Sequence, residues 1–301
     1  MQKLQKLSNH IYFVEGENRG RYPFCNCLLI KDEKSCLIDT GAGKAIRDLR
    51  NSLDLILNSH WHEDHIACNG LLNARIGIHE LDAEAAEFFN EFKRRYGLPE
   101  ELVNLFIELW FDEMFRDVAF SKADVRFGDG DEFELGKTSV RVIHTSGHSA
   151  GHSCFLIQDG DFKMVYLGDI DLTSFGPWYG CLDCDVEEFA KSIVRLVKIV
   201  DDEEVELAVS SHKGVISGKE GIMGGLRSYL EKIQERENRI MELLSSEQTS
   251  DSLVGKGIVY RKLPEPQDIF RHFERTMVEK HLESLVKKGK VARLRDGFVR
   301  I

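Results

Sequence analysis

Three short apolar runs open the chain, His10-Ile11-Tyr12-Phe13-Val14, Cys25-Asn26-Cys27-Leu28-Leu29-Ile30 and Ser35-Cys36-Leu37-Ile38, broken by polar turns such as Lys31-Asp32-Glu33-Lys34. Runs of this length, bounded by turn formers, predict neighbouring strands of one sheet. Asp39-Thr40-Gly41 ends the third, residues 42–50 look helical, and Leu53-Asp54-Leu55-Ile56-Leu57 reads as a buried strand. A short helix is expected over 66–72, then two long ones over 82–96 and 100–117, joined by Gly97-Leu98-Pro99. Phe88, Phe92, Phe106, Trp110 and Phe115 fall on these helices at spacings that usually mark a core face.

Strand patterns return after Asp124, with Val140-Arg141-Val142-Ile143 and then residues 162–167. An amphipathic helix over 186–200 and a strand over 205–209 complete an α/β alternation. Gly214, Gly218, Gly221, Gly224 and Gly225 interrupt the pattern, so a domain of residues 1–217 is expected to be followed by a smaller one, 218–301. The second part reads as a long charged helix over 226–244, a helix over 268–288, and a hairpin turned at Asp296-Gly297.

Charge narrows the partners. The chain of 301 residues carries a formal charge of −11, which disfavours a polyanion or an anionic membrane against the whole surface. Residues 226–301 differ, with 16 Lys and Arg against 12 Asp and Glu. Seven scattered cysteines do not suggest a disulfide framework, and no apolar run is long enough to span a bilayer. With no signal-peptide pattern at the N-terminus, the expected location is cytoplasmic, with reduced thiols. Cys25 and Cys27 share a strand face and read as small apolar side chains; Cys181-x-x-Cys184 has metal or redox spacing but no second pair.

The chemistry concentrates in His60-Trp61-His62-Glu63-Asp64-His65, directly after the buried strand. Each imidazole can give one nitrogen to a borderline metal and Asp64 an oxygen, so six residues offer up to four ligands. With 11 histidines in the chain, His-x-His-x-Asp-His arises by accident about once in a thousand such sequences.

This pattern resembles the signature of the metallo-β-lactamase-fold superfamily. The resemblance continues through Thr145-Ser146-Gly147-His148, Leu167-Gly168-Asp169 and Ser210-Ser211-His212, in matching order and context. It implies an α/β fold, a four-layer αββα sandwich, with a helical lid insertion at about 82–120 and a small C-terminal α+β winged-helix-like domain. It also implies that His60, His62 and His148 hold one divalent metal ion and Asp64, His65 and His212 a second, with Asp169 bridging. Zinc is expected, with iron or manganese as alternatives. Asp39, His144 and His152 become supporting groups that orient ligands. Trp178, Tyr179 and Trp110 are expected at the substrate, with Phe115 beside them.

The implied activity is hydrolysis of a small ester, thioester or lactone by a metal-bridging hydroxide, with Asp64 and Asp169 orienting the water. Two alternatives stand beside it: an endoribonuclease that holds single-stranded RNA on its C-terminal domain, and a mono-iron sulfur dioxygenase or non-hydrolytic redox protein. The expected partner is a small-molecule substrate, with nucleic acid or a homodimer contact open for the C-terminal part, and no membrane.

Overall fold

The computed structural model of the protein describes residues 4–111 and 118–301. The first sheet runs in chain order: β1 (Gln5–Lys6), β2 (Ile11–Val14), β3 (Cys27–Lys31), β4 (Ser35–Ile38), β5 (Leu55–Leu57), β6 (Arg75–His79) and β7 (Val125–Phe127). Its first strands pair antiparallel as hairpins, whereas β4 to β7 are parallel and joined by crossovers. The second sheet has the order β13-β12-β11-β10-β9-β8, from β8 (Glu132–Glu134), β9 (Thr138–His144), β10 (Ser153–Asp159), β11 (Phe162–Tyr166), β12 (Leu207–Ser210) and β13 (Gly214–Ser217).

Strand alternation explains the layers. In β3, Leu28 and Ile30 point between the sheets and meet Val140, Phe155, Met164 and Tyr166, while Cys27 and Leu29 point outward to Ile46, Leu72 and the 3₁₀ segment Gly43–Leu49. The outer face of the second sheet, through Ile143, Leu156, Val165 and Ala208, packs on helices. The result is the expected αββα sandwich, with a C-terminal helical region and a small sheet of β14 (Val291–Arg293) and β15 (Phe298–Arg300).

Several elements differ from the sequence pattern. The helix expected over 66–72 is replaced by α1 (Glu63–Ile66) and a 3₁₀ turn at Asn69–Leu71. The helix over 82–96 breaks at Phe88, whose backbone is extended, into α2 (Ala83–Glu87) and α3 (Phe89–Tyr96). The break lets Phe92 and Tyr96 pack edge-on against Trp61, at 5.4 and 5.3 Å between ring centroids. Next comes α4 (Glu100–Trp110); Phe115 lies outside the described residues.

Crossing between β11 and β12, α5 (Val186–Asp202) is capped by Asp185, whose carboxylate accepts from the Glu187 and Glu188 amides. The glycines expected at a linker lie elsewhere: Gly221, Gly224 and Gly225 sit inside α6 (Lys219–Leu243). Helix propensity is overridden there by packing, since Leu226, Tyr229, Ile233 and Ile240 join Phe189, Ile193 and Leu196 of α5 in one buried cluster. That cluster continues into α7 (Gln267–Lys287) through Ile269, Phe273, Met277 and Leu282. Among the described residues no helix is long and apolar enough to cross a membrane.

Candidate metal centre and substrate pocket

The His-rich segment leaves the C-terminal end of β5, and the other site residues leave β9, β11 and β12 at the same end of the sandwich. Convergence at one edge is therefore a product of topology. Asp39, just past β4, has a φ of 60°, and Gly168, before Asp169, has a φ of 53°. Asp tolerates this left-handed backbone and Gly adopts it freely, so both turns swing the following residues over the strand ends.

His60, His62 and His148 meet at one point. His62 Nδ1 lies 3.0 Å from His60 Nε2 and 2.9 Å from His148 Nε2, and the last two are 3.1 Å apart. The opposite ring nitrogens fix the tautomers. His148 Nδ1 donates to the Trp178 carbonyl at 2.8 Å, and His60 Nδ1 lies 3.0 Å from Ser59 Oγ, which itself donates to Asp39. His62 Nε2 faces Cys181 Sγ at 3.5 Å. Three lone pairs are thus aimed at a common centre with no proton between them. Burial and the neighbouring rings push His60 and His62 well below the ordinary histidine range, so they are neutral donors.

A second cluster lies beside the first. His212 Nε2 is 3.4 Å from Asp64 Oδ2, and His65 Nε2 is 3.7 Å from the same oxygen. Asp169 joins both groups: Oδ1 is 3.0 Å from His65 and 3.3 Å from His212, while Oδ2 is 3.2 Å from His148 and 3.9 Å from His60. His65 Nδ1 donates to Asp39 at 2.7 Å, and His212 Nδ1 donates to the Gly20 carbonyl at 2.7 Å. Burial opposes protonation of His212, yet Asp169 and Asp64 push it up to about 10. A field that draws a proton so strongly draws a cation as well.

The donor set fits metal ions. Among the described residues, Asp64 Oδ2, His65 Nε2 and Asp169 Oδ1 are buried and find no hydrogen-bond partner, an expense a bound cation would remove. Four donors about 2.1 Å from a tetrahedral centre stand about 3.4 Å apart, close to most of these separations. His60, His62, His148 and Asp169 form one group able to hold an ion, and Asp64, His65 and His212 another.

The supporting residues divide. Asp39 is fully buried and accepts from the Ser59 amide and hydroxyl, His65 and Tyr166, so it locks the ligand loop. His152 Nε2 accepts from the Asp169 amide at 3.1 Å and lies under that loop. His144 does not reach the centre. Its Nε2 donates to the Ala150 carbonyl and its ring stacks on His79 at 4.2 Å, because its strand position turns it to the far side of the loop.

Above the donors is a cavity of about 290 Å³. Phe106 and Trp110 of α4 form one wall, and Phe175 and Trp178 from the loop after Asp169 form another. Tyr260, with Phe270 and Phe273 of α7, closes the third side. Trp110 and Trp178 therefore line the pocket as expected. Tyr179 does not: it is fully buried behind the loop, where its hydroxyl meets His281 at 2.6 Å and Arg236 at 2.9 Å. The two adjacent aromatics leave the loop on different sides, Trp178 to the cavity and Tyr179 to the buried contacts behind it.

One polar corner interrupts the aromatic lining. Glu63 is buried and accepts from the hydroxyls of Tyr22, at 2.8 Å, and Tyr96. Burial, with Asp64 adding, pushes its carboxyl up to about 7. Neither tyrosine carries a sequence signal; the place of Glu63 between ligand positions is the local clue. Phe270 and Phe273 keep helical core spacing, and nothing in that spacing separates a pocket wall from a core face.

Comparison with known proteins agrees with this geometry. The family model described as the metallo-beta-lactamase superfamily matches residues 20–212. The acyl-coenzyme A thioesterase MBLAC2 of Bos taurus is 28% identical over 224 residues, 66% of this chain and 75% of that protein. The beta-lactamase-like protein 2 homolog of Drosophila melanogaster is 24% identical over 280 residues, covering 88% of this chain and 82% of its own length. A crystal structure of a metallo-beta-lactamase family protein from Thermus thermophilus superposes with a TM-score of 0.74 at 22% identity, over 98% of this chain and 100% of the other, a likeness of fold.

Proposed function

The chain belongs to the metallo-β-lactamase superfamily of hydrolases, and from that premise we propose that it cleaves a small thioester, ester or lactone with two divalent cations, zinc by its donor chemistry. The observation that carries the substrate reading is the lining of the cavity. It is aromatic on three sides and, among the described residues, contains no Lys or Arg, which suits a neutral acyl group better than a phosphate backbone. The thioester takes precedence because relatives that span most of this chain are named acyl-coenzyme A thioesterases.

His60, His62 and His148 would hold one cation, Asp64, His65 and His212 the other, with one oxygen of Asp169 turned to each. Bound there, divalent cations supply Lewis acidity and lower the pKa of water towards neutrality. The chain's own groups do the rest. Asp64 and Asp169 orient the attacking water between the clusters, and the aromatic walls exclude bulk water and hold the acyl group over that floor. Water oxygen bonds to the carbonyl carbon, the carbon–sulfur bond breaks, and the thiolate leaves with a proton; the products are a carboxylic acid and a thiol. The C-terminal segment, which supplies Tyr260, Phe270 and Phe273, takes part as a pocket wall.

The test is metal analysis together with thiol release from a short acyl thioester by the full-length protein. Close to two ions per chain are expected, with turnover abolished in His60→Ala and Asp169→Ala proteins that keep their circular dichroism. Undiminished turnover in a folded double variant would sink the assignment.

A further inference from the structure

We propose that the cavity selects an aromatic acyl group of about phenylacetyl size; this deepens the hydrolase reading above and depends on it for the carbonyl chemistry. Three ring pairs of the walls are set edge to face. Trp110 meets Phe270 at 6.1 Å with planes at 89°, Tyr260 meets Phe270 at 5.6 Å and 81°, and Trp178 meets Phe273 at 5.3 Å and 77°. An aryl ring placed among them continues the same pattern, with its positive edge on a neighbour's negative face. A saturated ring of equal bulk gains burial only.

Size and charge narrow the class further. A cavity of about 290 Å³ is at the small end of ligand pockets, so a single ring with its carbonyl link fits while a long acyl chain has to leave it. Among the described lining residues there is no Lys or Arg, so no cationic side chain is placed to pair with an acyl chain that ends in a second carboxylate. Helix α7 supplies Phe270 and Phe273 and is anchored in the core cluster through Ile269, Phe273, Met277 and Leu282, which fixes one wall of the selecting surface.

Metal-loaded full-length protein is assayed with phenylacetyl, cyclohexylacetyl and succinyl thioesters of one thiol. The phenyl group is flatter and makes its carbonyl more electrophilic than the cyclohexyl group does, so each kcat/KM is divided by the same thioester's uncatalysed hydroxide rate, and it is this corrected ratio that isolates the ring. Phenylacetyl is expected to exceed cyclohexylacetyl at least about fivefold in corrected kcat/KM, with succinyl lowest, and Phe270→Leu should pull the ring ratio towards one. Equal corrected kcat/KM for the two rings, or a preference for succinyl, overturns the proposal. A second readout separates this outcome from failure of the hydrolase reading. Ketone analogues carrying a methylene in place of the thioester sulfur are titrated by tryptophan fluorescence. Tighter binding of the aryl ketone supports an aromatic pocket even if no thioester is cleaved, and equal affinities for aryl and cyclohexyl ketones refute it.

Discussion

The guanidinium of Arg236, on α6, donates to the hydroxyl of Tyr179 at 2.9 Å, on the buried side of the loop that forms one wall of the pocket. The same group donates to the Pro177 carbonyl and, at 2.8 Å, to the Phe175 carbonyl. Its Cζ lies 5.2 Å from the centroid of the Phe175 ring and 5.5 Å from that of Tyr179. Trp178, within the clamped segment, accepts from His148 Nδ1 through its carbonyl. A residue of the C-terminal region thereby sets the position of a ligand histidine that follows β9.

Arg236→Ala is therefore expected to act on stability and on the metal centre together. Removing the cation takes the donor from two carbonyls and leaves the Tyr179 hydroxyl with His281 as its remaining partner, in a site where the arginine is 4% exposed, at a cost of roughly 3 kcal/mol. Arg236→Lys should recover part of that, because an ammonium cannot span the same fork of acceptors. Urea unfolding orders the three proteins, and chelator competition should show weaker metal retention in both variants. A lysine variant equal to wild type in both measurements would show that the fork does not matter.

Asp39 makes a second separable prediction. One oxygen accepts from the Ser59 amide, while the other accepts from Ser59 Oγ, His65 Nδ1 and Tyr166 at 2.7 to 2.8 Å. An amide in its place must turn its NH₂ towards donors whichever way it is set. Asp39→Asn is thus expected to lower metal affinity about 10- to 100-fold with the secondary structure retained. Unchanged competition against a chelator would mean that His65 is held by its backbone alone.

These cases also show what the sequence can tell. The ligand cluster is legible because His60, His62, Asp64 and His65 are nearly contiguous and follow an apolar strand; His148, Asp169 and His212 are legible only through the resemblance. Tyr179 departs from expectation because loop register decides which of two adjacent aromatics faces a cavity, and register in a loop has no periodic signature. The glycines of α6 depart from it because their low helix propensity is a weaker term than the burial of Leu226, Tyr229 and Ile233 beside them. The pocket walls from α7 are invisible for a different reason: packing against the other chain segments assigns that face to the cavity, and no local pattern encodes it.

The α6 glycines give a stability prediction of opposite sign. Among the described residues, a methyl group added at Gly224 meets nothing within 4 Å, whereas one at Gly225 comes within 2.9 Å of Leu172 Cδ1. Gly224→Ala should raise unfolding free energy by about 0.5–1 kcal/mol through helix propensity. Gly225→Ala has to displace the Leu172 side chain and should gain less, or lose. Equal gains in a thermal melt would show that Leu172 moves freely.

The pH dependence of folding should carry the mark of His281. Its Nε2 accepts from the Tyr179 hydroxyl, which is itself engaged by Arg236, and its buried Nδ1 finds no hydrogen-bond partner among the described residues. Burial, with Arg236 and Lys288 adding, pushes the ring down to about 3, so it stays neutral in the folded protein. An unfolded histidine titrates near 6.5, so below that pH the unfolded chain takes up a proton that the native state refuses. The stabilisation is complete above about pH 6.5 and is lost progressively as the pH falls towards 3, at roughly 1.4 kcal/mol for each unit in that window. His281→Leu costs stability at pH 7.5 by stranding the Tyr179 hydroxyl, but it removes this slope. Urea unfolding at pH 7.5 and 5.5, with metal present throughout, should therefore show a smaller loss on acidification in the variant than in wild type. An equal or larger loss in the variant would place the proton uptake on another group and contradict a buried neutral His281.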